Sequence, residues 1–421
     1  MFAKFKQIFN PKNKDIQKRI IFTFFALFVF KLGTTIIVPG VDKAQLGANS
    51  LGFLELINVM GGGALAQFSI FGLGVMPYIT ASIIIQLAQM DIIPYLADLA
   101  KEGHTGRVKL NQITRVLGII LAFIQGYIMS FAFIRTGTVM EYMQFATVLT
   151  AGTAFLLWMG DQITAKGIGN GISLIIMTGI IASLPTMFVD AWKNFTGDGT
   201  VLGMLLFVLF VIIYLLIVIG VIYEQSAERR IPIQYANKST SVLGKQSYIP
   251  FKLNSAGVIP VIFSSSLLSI PAFFTNMIKN PAYGEFIEKY IAMNSPTGFA
   301  LYILLIVAFS YFYTFLQLKP KEMAENLQNN GGYIPGIRPG EETVKYINGI
   351  LYKLTLVGAL ALAVIAGLPI VFSIISKLPS NISIGGTGLL IVVGVALETY
   401  KGLDSQITSR TYTRRRGRRK W

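Results

Sequence analysis

The sequence predicts an all-α membrane protein that crosses a lipid bilayer many times. Of its 421 residues 53% are hydrophobic and only 13% are charged, and the mean hydropathy is +0.61. Soluble domains carry about 25% charged residues, so a soluble fold is excluded. Apolar stretches of membrane-spanning length recur along the whole chain. They must form helices, because lipid cannot hydrogen-bond to open backbone groups.

Ten apolar windows approach the length needed to cross a bilayer core, which takes about 20 helical residues. They lie near residues 20–38, 74–90, 116–134, 143–160, 171–189, 202–223, 254–275, 298–318, 354–373 and 386–400. Five windows lie before residue 190 and five lie after residue 201. This even division is compatible with two inverted halves, an architecture that many transporters use.

Basic residues are distributed unevenly between the two sides that ten crossings define. The segments on the side of both termini hold 29 of the 36 Lys and Arg residues, and the opposite segments hold six. The remaining one, Lys31, lies inside the first window. Because cytoplasmic loops collect Lys and Arg, we expect both termini in the cytoplasm. The same rule accounts for most of the net charge of +16 without a nucleic-acid partner.

Several chemistries are excluded or disfavoured by what the chain lacks. It has no cysteine, which excludes disulfides and thiolate sites, and its one histidine, His104, excludes sites that need two imidazoles. Lys31, Asp161 and Glu398 lie in or beside the windows without an obvious partner, which disfavours a proton-coupled carrier. We expect no enzyme activity and no cofactor. A secondary transporter of a small solute is the alternative function, and it would need a polar site at the membrane midplane.

The stretch from Leu56 to Met90 has no charged residue or histidine, yet glycines at 61–63, Gly72 and Gly74 interrupt it, as does a proline. Its 35 residues exceed one crossing. Irregular backbone at membrane depth is tolerated only inside protein or beside a water-filled cavity. The pattern therefore predicts a re-entrant segment in a cavity. A kinked span that follows an outer surface helix is the alternative.

Two long loops on the predicted cytoplasmic side are candidate docking surfaces. The loop at about 224–253 contains "RIPIQYA" and "SYIPFKL", two alternating stretches separated by turn residues, which predict a projecting β-hairpin. The loop at about 319–353 places Arg338 among glycines and prolines, in a stiff and exposed turn. An ordinary solvated arginine is the alternative interpretation of Arg338.

Several long motifs resemble one protein family. The stretches "GLGVMPYITASIIIQL", "GIGNGISLII", "NSAGVIPVIFSSS" and "YIPGIRPGEETVKYI" are similar to those of the SecY family of protein-conducting channels, and "GGGALAQFSIF" and "LTLVGALALAV" agree as well. The resemblance extends over about residues 15–400. It implies ten transmembrane helices in two inverted five-helix halves around an hourglass pore, with a re-entrant plug helix.

The resemblance also implies how the chain is divided. A basic, amphipathic cytoplasmic leader at 1–19 precedes an N-terminal half at 20–189 that contains the first five spans. The C-terminal half at 202–400 contains the other five, and residues 190–253 include the sixth span and the hairpin loop. A basic cytoplasmic tail occupies 401–421.

The resemblance further implies where the functional residues lie. The pore ring would consist of aliphatic side chains from four spans, namely Val75, Ile79, Ile176, Ile262 and Ile391, with Ile172 as an additional candidate. The plug at about 55–70 would include Glu55, Ile57, Met60, Gly61, Gly62, Gly63 and Phe68. The docking surface would include Arg229, Arg230 and Arg338. A lateral gate would open between the second and third spans on one side and the seventh and eighth on the other.

The function implied by the resemblance is passage of unfolded secretory or membrane-protein precursors across the bacterial cytoplasmic membrane, with sideways release of apolar segments into the lipid bilayer. Its implied partners are the subunits SecE and SecG, and either the SecA ATPase or a ribosome as the driving partner. An unfolded chain has no fixed shape. Apolar, deformable pore walls therefore suit it better than a binding site does.

Overall fold

The structure is a computed structural model. It describes residues 14–39, 58, 61–90, 92–134, 137–197, 201–235, 247–278, 281–293, 295–376 and 380–418. The chain begins with the helices α1 (Lys14–Gly33), α2 (Met76–Ala88), α3 (Pro94–Lys101), α4 (His104–Phe133), α5 (Val139–Lys166) and α6 (Gly171–Thr196). It continues with α7 (Val201–Ser226), β1 (Glu228–Tyr235), β2 (Ser247–Lys252), α8 (Ile259–Ile278), α9 (Pro281–Phe286) and a short π-helix (Ile287–Ile291). It ends with α10 (Pro296–Leu318), α11 (Pro320–Asn329), β3 (Gly332–Tyr333), α12 (Glu341–Ile375) and α13 (Ser380–Arg418).

Each of the ten predicted windows overlaps a helix. Within the described residues, six helical runs are long and apolar enough to cross a membrane, namely His104–Phe131, Val139–Lys166, Gly171–Thr196, Val201–Ser226, Pro296–Asn329 and Glu341–Ser376. Two further apolar helical stretches, Met76–Ala88 and Ile259–Pro271, are shorter. The chain is therefore a multi-pass membrane protein, and the number of ten crossings stays a prediction.

Local sequence signals set several helix boundaries. Thr138 and Glu141 form a reciprocal capping box at the start of α5, in which the Thr138 backbone N–H donates to the Glu141 carboxylate at 2.8 Å. The Ser295 hydroxyl accepts from Gly298 N at 3.0 Å at the start of α10. Proline occupies the first turn of α2, α3, α10 and α11, where its missing N–H leaves no bond unmade.

The two long loops meet in a three-stranded sheet with the order β2-β1-β3. Both alternating stretches are strands, and β1 pairs antiparallel with β2, with Ile231 opposite Ile249. Strand β3 comes from the second loop and pairs with the other edge of β1, with Gln234 opposite Tyr333. The Tyr333 hydroxyl donates to Gln234 Oε1 at 2.9 Å. The sequence did not predict β3, which is only two residues long.

Every second residue in the middle of β1 is buried and packs the sheet against the neighbouring helices. Ile231 and Ile233 are buried, whereas Arg230 and Pro232 between and beside them are exposed. The buried pair belongs to a cluster that includes Phe251, Ala324, Leu327, Ile334, Ile347, Ile350 and Leu351. The cluster joins the sheet to α11 and to the first turns of α12. The two loops thus form one packed unit.

The largest buried cluster draws on both parts of the chain. It contains residues of α1, α2, α4, α5 and α6, and also residues of α8 and α13. A second cluster joins α7, α8, α10, α12 and α13. The contact between the N-terminal and C-terminal helices is therefore aliphatic at its centre, and this is where the candidate site lies.

Candidate functional site

The five aliphatic residues expected in a pore ring all lie in the largest buried cluster. Their exposed fractions are 4% for Val75, 6% for Ile79, 3% for Ile176, 9% for Ile262 and 4% for Ile391. Two of the contributing helices, α2 and α6, belong to the first five windows, and two, α8 and α13, belong to the last five. Ile172 is half-buried and packs against the same cluster. We refer to these six residues as the ring candidates.

The break before α2 sets the direction of the first two ring candidates. Gly74 has a φ of +57°, in the left-handed region that favours glycine. Val75 is the N-cap of α2 and Pro77 lies in its first turn, and Ile79 N donates to Val75 O at 3.2 Å. Val75 and Ile79 are therefore one turn apart on one face. The Thr153 hydroxyl on α5 donates to Gly74 O at 3.1 Å and holds the break in place.

Asn170 caps the start of α6 and so fixes which residues share each face of that helix. The Asn170 side chain accepts from Ile172 N at 3.1 Å and from Ser173 N at 3.4 Å. This cap satisfies two of the backbone donors that the first turn of a helix leaves free. Ile172 lies in that turn, and Ile176 follows one turn later on the same face.

Two glycines let α13 approach its neighbours on either side of Ile391. A Cβ on Gly388 would lie 2.7 Å from Ile180 Cγ2, and a Cβ on Gly394 would lie 2.5 Å from Val258 Cγ1. Real Cβ atoms do not come so close to other carbon atoms, so both contacts depend on glycine. Ile391 is thereby held between α6 and the start of α8.

A cavity of about 190 Å³ opens onto Ile176, Ile262 and Ile391. Its polar lining includes Asn170, Ser173, Asn254, Gln317, Glu398 and Lys401. Asn170 precedes α6 and Gln317 is at the end of α10, both on the side predicted to be cytoplasmic. The cavity therefore changes from a polar wall near the helix ends to an aliphatic wall at the ring candidates.

The described part of the predicted plug consists of turns from residue 61 onward, so it is not a helix there. Gly62 and Gly63 have φ values of +72° and +83°, as glycine allows. Phe68 has a φ of +51°, which is strained for a bulky side chain. The other predicted plug residues, Glu55, Ile57 and Met60, lie outside the described residues.

This segment packs directly beside the ring candidates. A Cβ on Gly62 would lie 3.0 Å from the Cα of Gly179, a residue of α6 three positions after Ile176. Ala64 and Leu65 are buried in the same cluster as the ring candidates, and Phe68 packs against it. We call the turn at residues 61–63 the glycine turn. It approaches the backbone of α6 close to Ile176, one of the ring candidates.

Arg229 and Arg338 line one groove of about 820 Å³ between the sheet and α12. Two lysines of α12, Lys345 and Lys353, line it as well. The Lys345 ammonium is 3.4 Å from the Glu342 carboxylate, which also borders the groove. Sequence reasoning missed both lysines. The only signal was their spacing of eight residues, which places them on one helix face.

Arg230 lies away from this groove, because successive residues of a strand point to opposite faces. Its guanidinium is 2.6 Å from the Glu228 carboxylate and 4.8 Å from the centre of the Tyr248 ring. The hydrogen bond to Glu228 raises the pKa of Arg230 above its ordinary value. The groove thus includes two of the three arginines expected in the docking surface.

The comparison with known families is decisive for the fold. The family model described as SecY matches residues 69–400. The chain belongs to the SecY family. The protein translocase subunit SecY of Staphylococcus epidermidis is 47% identical over 426 residues, which cover 98% of this chain and 99% of that protein. The Staphylococcus aureus subunit is 47% identical over 415 residues, with coverages of 95% and 96%.

Solved structures of SecY and Sec61 channels share the fold at lower identity. One described as a protein-conducting channel aligns with a TM-score of 0.69 at 20% identity, covering 94% of this chain and 93% of that chain. The Sec61 channel of a canine ribosome–channel complex aligns with a TM-score of 0.66 at 19% identity, with coverages of 94% and 93%. These alignments support the SecY fold for nearly the whole chain.

The SecY resemblance assigns a lateral gate to helices that are in contact in this structure. Helix α8 packs against both α2 and α4, and Ser266 Oγ lies 3.9 Å from Met76 Sδ. The neighbouring hydroxyls of Ser264, Ser265 and Ser269 donate to carbonyls of their own helix. The described seam is therefore closed by packing, and these serines are already satisfied within α8.

Two ionisable residues without an obvious partner in the sequence have partners in the structure. Asp161 on α5 pairs with Arg115 on α4, with about half of each side chain exposed. The Lys31 ammonium donates to Gly62 O at 3.3 Å. Sequence reasoning did not identify these partners because they are distant in sequence, and no local pattern indicates which helices of the SecY fold lie side by side.

Proposed function

We propose that this chain is the channel subunit of a bacterial protein translocase. It passes unfolded polypeptides across the cytoplasmic membrane and releases apolar segments sideways into lipid. The observation that carries this proposal is the burial of Val75, Ile79, Ile176, Ile262 and Ile391 in one cluster at the contact between N-terminal and C-terminal helices. The names of the SecY relatives as translocase subunits agree with it.

In this proposal the aliphatic cluster is the closed pore. Side chains without polar atoms offer ions nothing to replace their hydration shell, so a narrow ring of them resists ion flow when empty. The same side chains rotate and separate without breaking hydrogen bonds when a polypeptide enters. They also retain no polar group of the passing chain, which lets the polypeptide leave.

The proposed architecture has ten crossings, two inverted halves and both termini in the cytoplasm. A helix at every predicted window supports the crossings, and the uneven distribution of basic residues supports the orientation. The polar cavity of about 190 Å³ would be the cytoplasmic funnel of an hourglass pore. The turns at residues 61–70 would form part of the plug that closes the other side.

Sideways release would occur at the seam between α2 and α4 on one side and α8 and α10 on the other. In the closed seam α8 contacts α2 and α4, and these contacts are largely between uncharged side chains. Separation of the helices would expose the pore to hydrocarbon. An apolar segment could then leave the pore for lipid, which favours it over the polar funnel.

The energy for movement would come from a partner that docks at the basic groove. Arg229 and Arg338 project from a sheet and a stiff turn, and Lys345 and Lys353 extend the same positive surface. Guanidinium groups bind carboxylates and phosphates with two parallel hydrogen bonds. The surface suits acidic groups of the SecA ATPase or phosphates of ribosomal RNA, and SecE and SecG are the proposed companion subunits.

Transport of a small solute is not favoured as an alternative. A solute carrier needs polar groups that converge on its ligand, whereas the residues at the centre of the contact between N-terminal and C-terminal helices are aliphatic. The two functions are separated by reconstitution in vesicles with SecE, SecG and SecA. ATP-dependent protection of an unfolded precursor from external protease supports the channel. Solute uptake without SecA, and no protection of the precursor, would overturn it.

A further inference from the structure

Lys31 places an ammonium group in the apolar window of α1. A charge at such a position is costly and usually has a function and a specific partner. The partner here is the backbone carbonyl of Gly62, which accepts from Lys31 Nζ at 3.3 Å, with the side chain half-buried. Asn58 also holds this segment, since its Oδ1 accepts from Ala66 N at 2.8 Å and its backbone O accepts from Gly63 N at 2.8 Å. Lys31 adds a side-chain hydrogen bond from α1.

The end of the re-entrant segment nearer to α2, at residues 68–70, is held by backbone hydrogen bonds instead. The chain just after α1 pairs with it in a short antiparallel bridge, in which Val38 N donates to Phe68 O at 2.7 Å and Ile70 N donates to Ile36 O at 3.0 Å. The bridge is made of backbone bonds, and Ser69 within it is fully buried. It therefore does not depend on the charge of Lys31.

The strained residue, Phe68, lies at the edge of the bridge, on the side of the glycine turn. Phe68 adopts a φ of +51°, a conformation that a bulky side chain keeps only when its surroundings impose it. The bridge holds one side of Phe68, and the segment from Gly62 to Gln67 lies on the other. Backbone bonds also run across Phe68, since Phe68 N donates to Leu65 O at 3.0 Å and Ser69 N donates to Ala64 O at 2.9 Å. Movement of the glycine turn about Phe68 must break these two bonds, and relief of the strain at Phe68 offsets part of that cost.

We infer that Lys31 is a positioning residue that holds the re-entrant segment closed, as a latch on Gly62 O, while the Ile37–Ser69 bridge is the fixed hinge. The inference rests on the proposed function, in which this segment is the plug. With the latch in place, the glycine turn stays against Gly179, three residues from Ile176. When the latch opens, the turn leaves α6 and uncovers the ring candidates.

The absence of cysteine from the natural sequence allows a direct test. Single thiols are introduced as Ala64→Cys or Ser69→Cys, at two positions that are fully buried. Each reporter is combined with Lys31→Met, which keeps the length of the side chain, or with Lys31→Arg, which keeps the donor. The labelling rate with a membrane-impermeant maleimide is measured in vesicles without precursor or SecA.

We expect Lys31→Met to raise the labelling rate at position 64 by about ten-fold, the loss that one charged hydrogen bond implies. Lys31→Arg should restore the rate of the parent chain, and position 69 should stay protected throughout. An unchanged rate at position 64 would overturn the latch. An equal rise at both positions would overturn it too, because it would indicate general loosening.

The same vesicles distinguish failure of the latch from failure of the channel. To test the channel, resting ion flux is measured for the double variant Ile79→Gly with Ile262→Gly, in a chain that keeps Lys31. If the flux of this double variant rises but Lys31→Met does not change labelling at position 64, the latch is overturned and the channel is not. A rise in labelling at position 64 but not at position 69 supports the latch whether or not the flux changes, since labelling reports the position of the segment and not ion conduction.

Discussion

Gly62 lies so close to Gly179 of α6 that a Cβ added to Gly62 would be 3.0 Å from the Gly179 Cα. Neither residue has a side chain, so the backbone of the re-entrant segment and that of α6 come into contact. This contact is three residues from Ile176. It joins the two features on which the proposed closed state depends, the glycine turn and the aliphatic cluster.

The first prediction concerns this contact. Gly62→Ala should raise resting ion flux through reconstituted vesicles, because the added methyl group pushes the turn away from α6. Gly63→Ala is the matched control, since Gly63 also has a positive φ, but within the described part of the chain a Cβ there would meet only Gln67 Nε2, at 3.8 Å. Both variants carry a backbone cost of about 1–2 kcal/mol. Equal flux in the two variants would show that strain, and not contact, matters.

The second prediction concerns the width of the constriction. The double variant Ile79→Gly with Ile262→Gly should raise resting ion conductance by about an order of magnitude, because removal of two aliphatic side chains lets water enter. Ile84→Gly with Leu267→Gly is the control on the same two helices, at positions that are 44% and 38% exposed. Single-channel recording checks both. Unchanged conductance in the first pair would contradict the ring assignment.

The third prediction concerns the basic groove. Arg338→Glu should abolish SecA-driven translocation in vesicles while the protein stays folded, because it reverses a charge in the groove and removes a bidentate donor. Lys321→Glu makes the same charge change at an exposed position of α11 outside the groove, and should keep near-normal rates. Normal translocation by the Arg338 variant would remove this residue from the docking surface.

The fourth prediction concerns stability. A double-mutant cycle of Arg115→Met and Asp161→Asn should give a coupling of about 0.5–1 kcal/mol, the range of partly exposed ion pairs. Both side chains are close to half exposed, at 46% and 43%, so a larger value is not expected. Thermal unfolding in detergent measures the cycle. A coupling near zero would show that the pair does not stabilise the contact between α4 and α5.

Much of the fold could be predicted because it depends on local patterns. Uncharged windows and the positions of Lys and Arg indicate spans, and alternation indicated β1 and β2. The break at Gly74 with Pro77 in the next turn fixed the face shared by Val75 and Ile79. The resemblance then supplied Ile176, Ile262 and Ile391, which no local pattern distinguishes from other aliphatic residues of a span.

The features that were missed all depend on contacts between distant segments. Strand β3 pairs with β1 across about a hundred residues, and nothing in the dipeptide Gly332–Tyr333 marks it as a strand. The partner of Asp161 is 46 residues away and that of Lys31 is 31 residues away. Arg229 and Arg338 share a groove because the sheet packs beside the start of α12, which brings together residues more than a hundred positions apart.

The central claim is that a translocating chain passes between Ile79 and Ile262. The most direct test places a photoreactive amino acid at either position and, as controls, at Ile84 and Leu267 on the same helices, and then stalls a secretory precursor in transit. Our account predicts crosslinks to the precursor from positions 79 and 262, and little from 84 and 267, which are more exposed on the outside of the protein. Crosslinks from the two control positions, with none from 79 and 262, would contradict it.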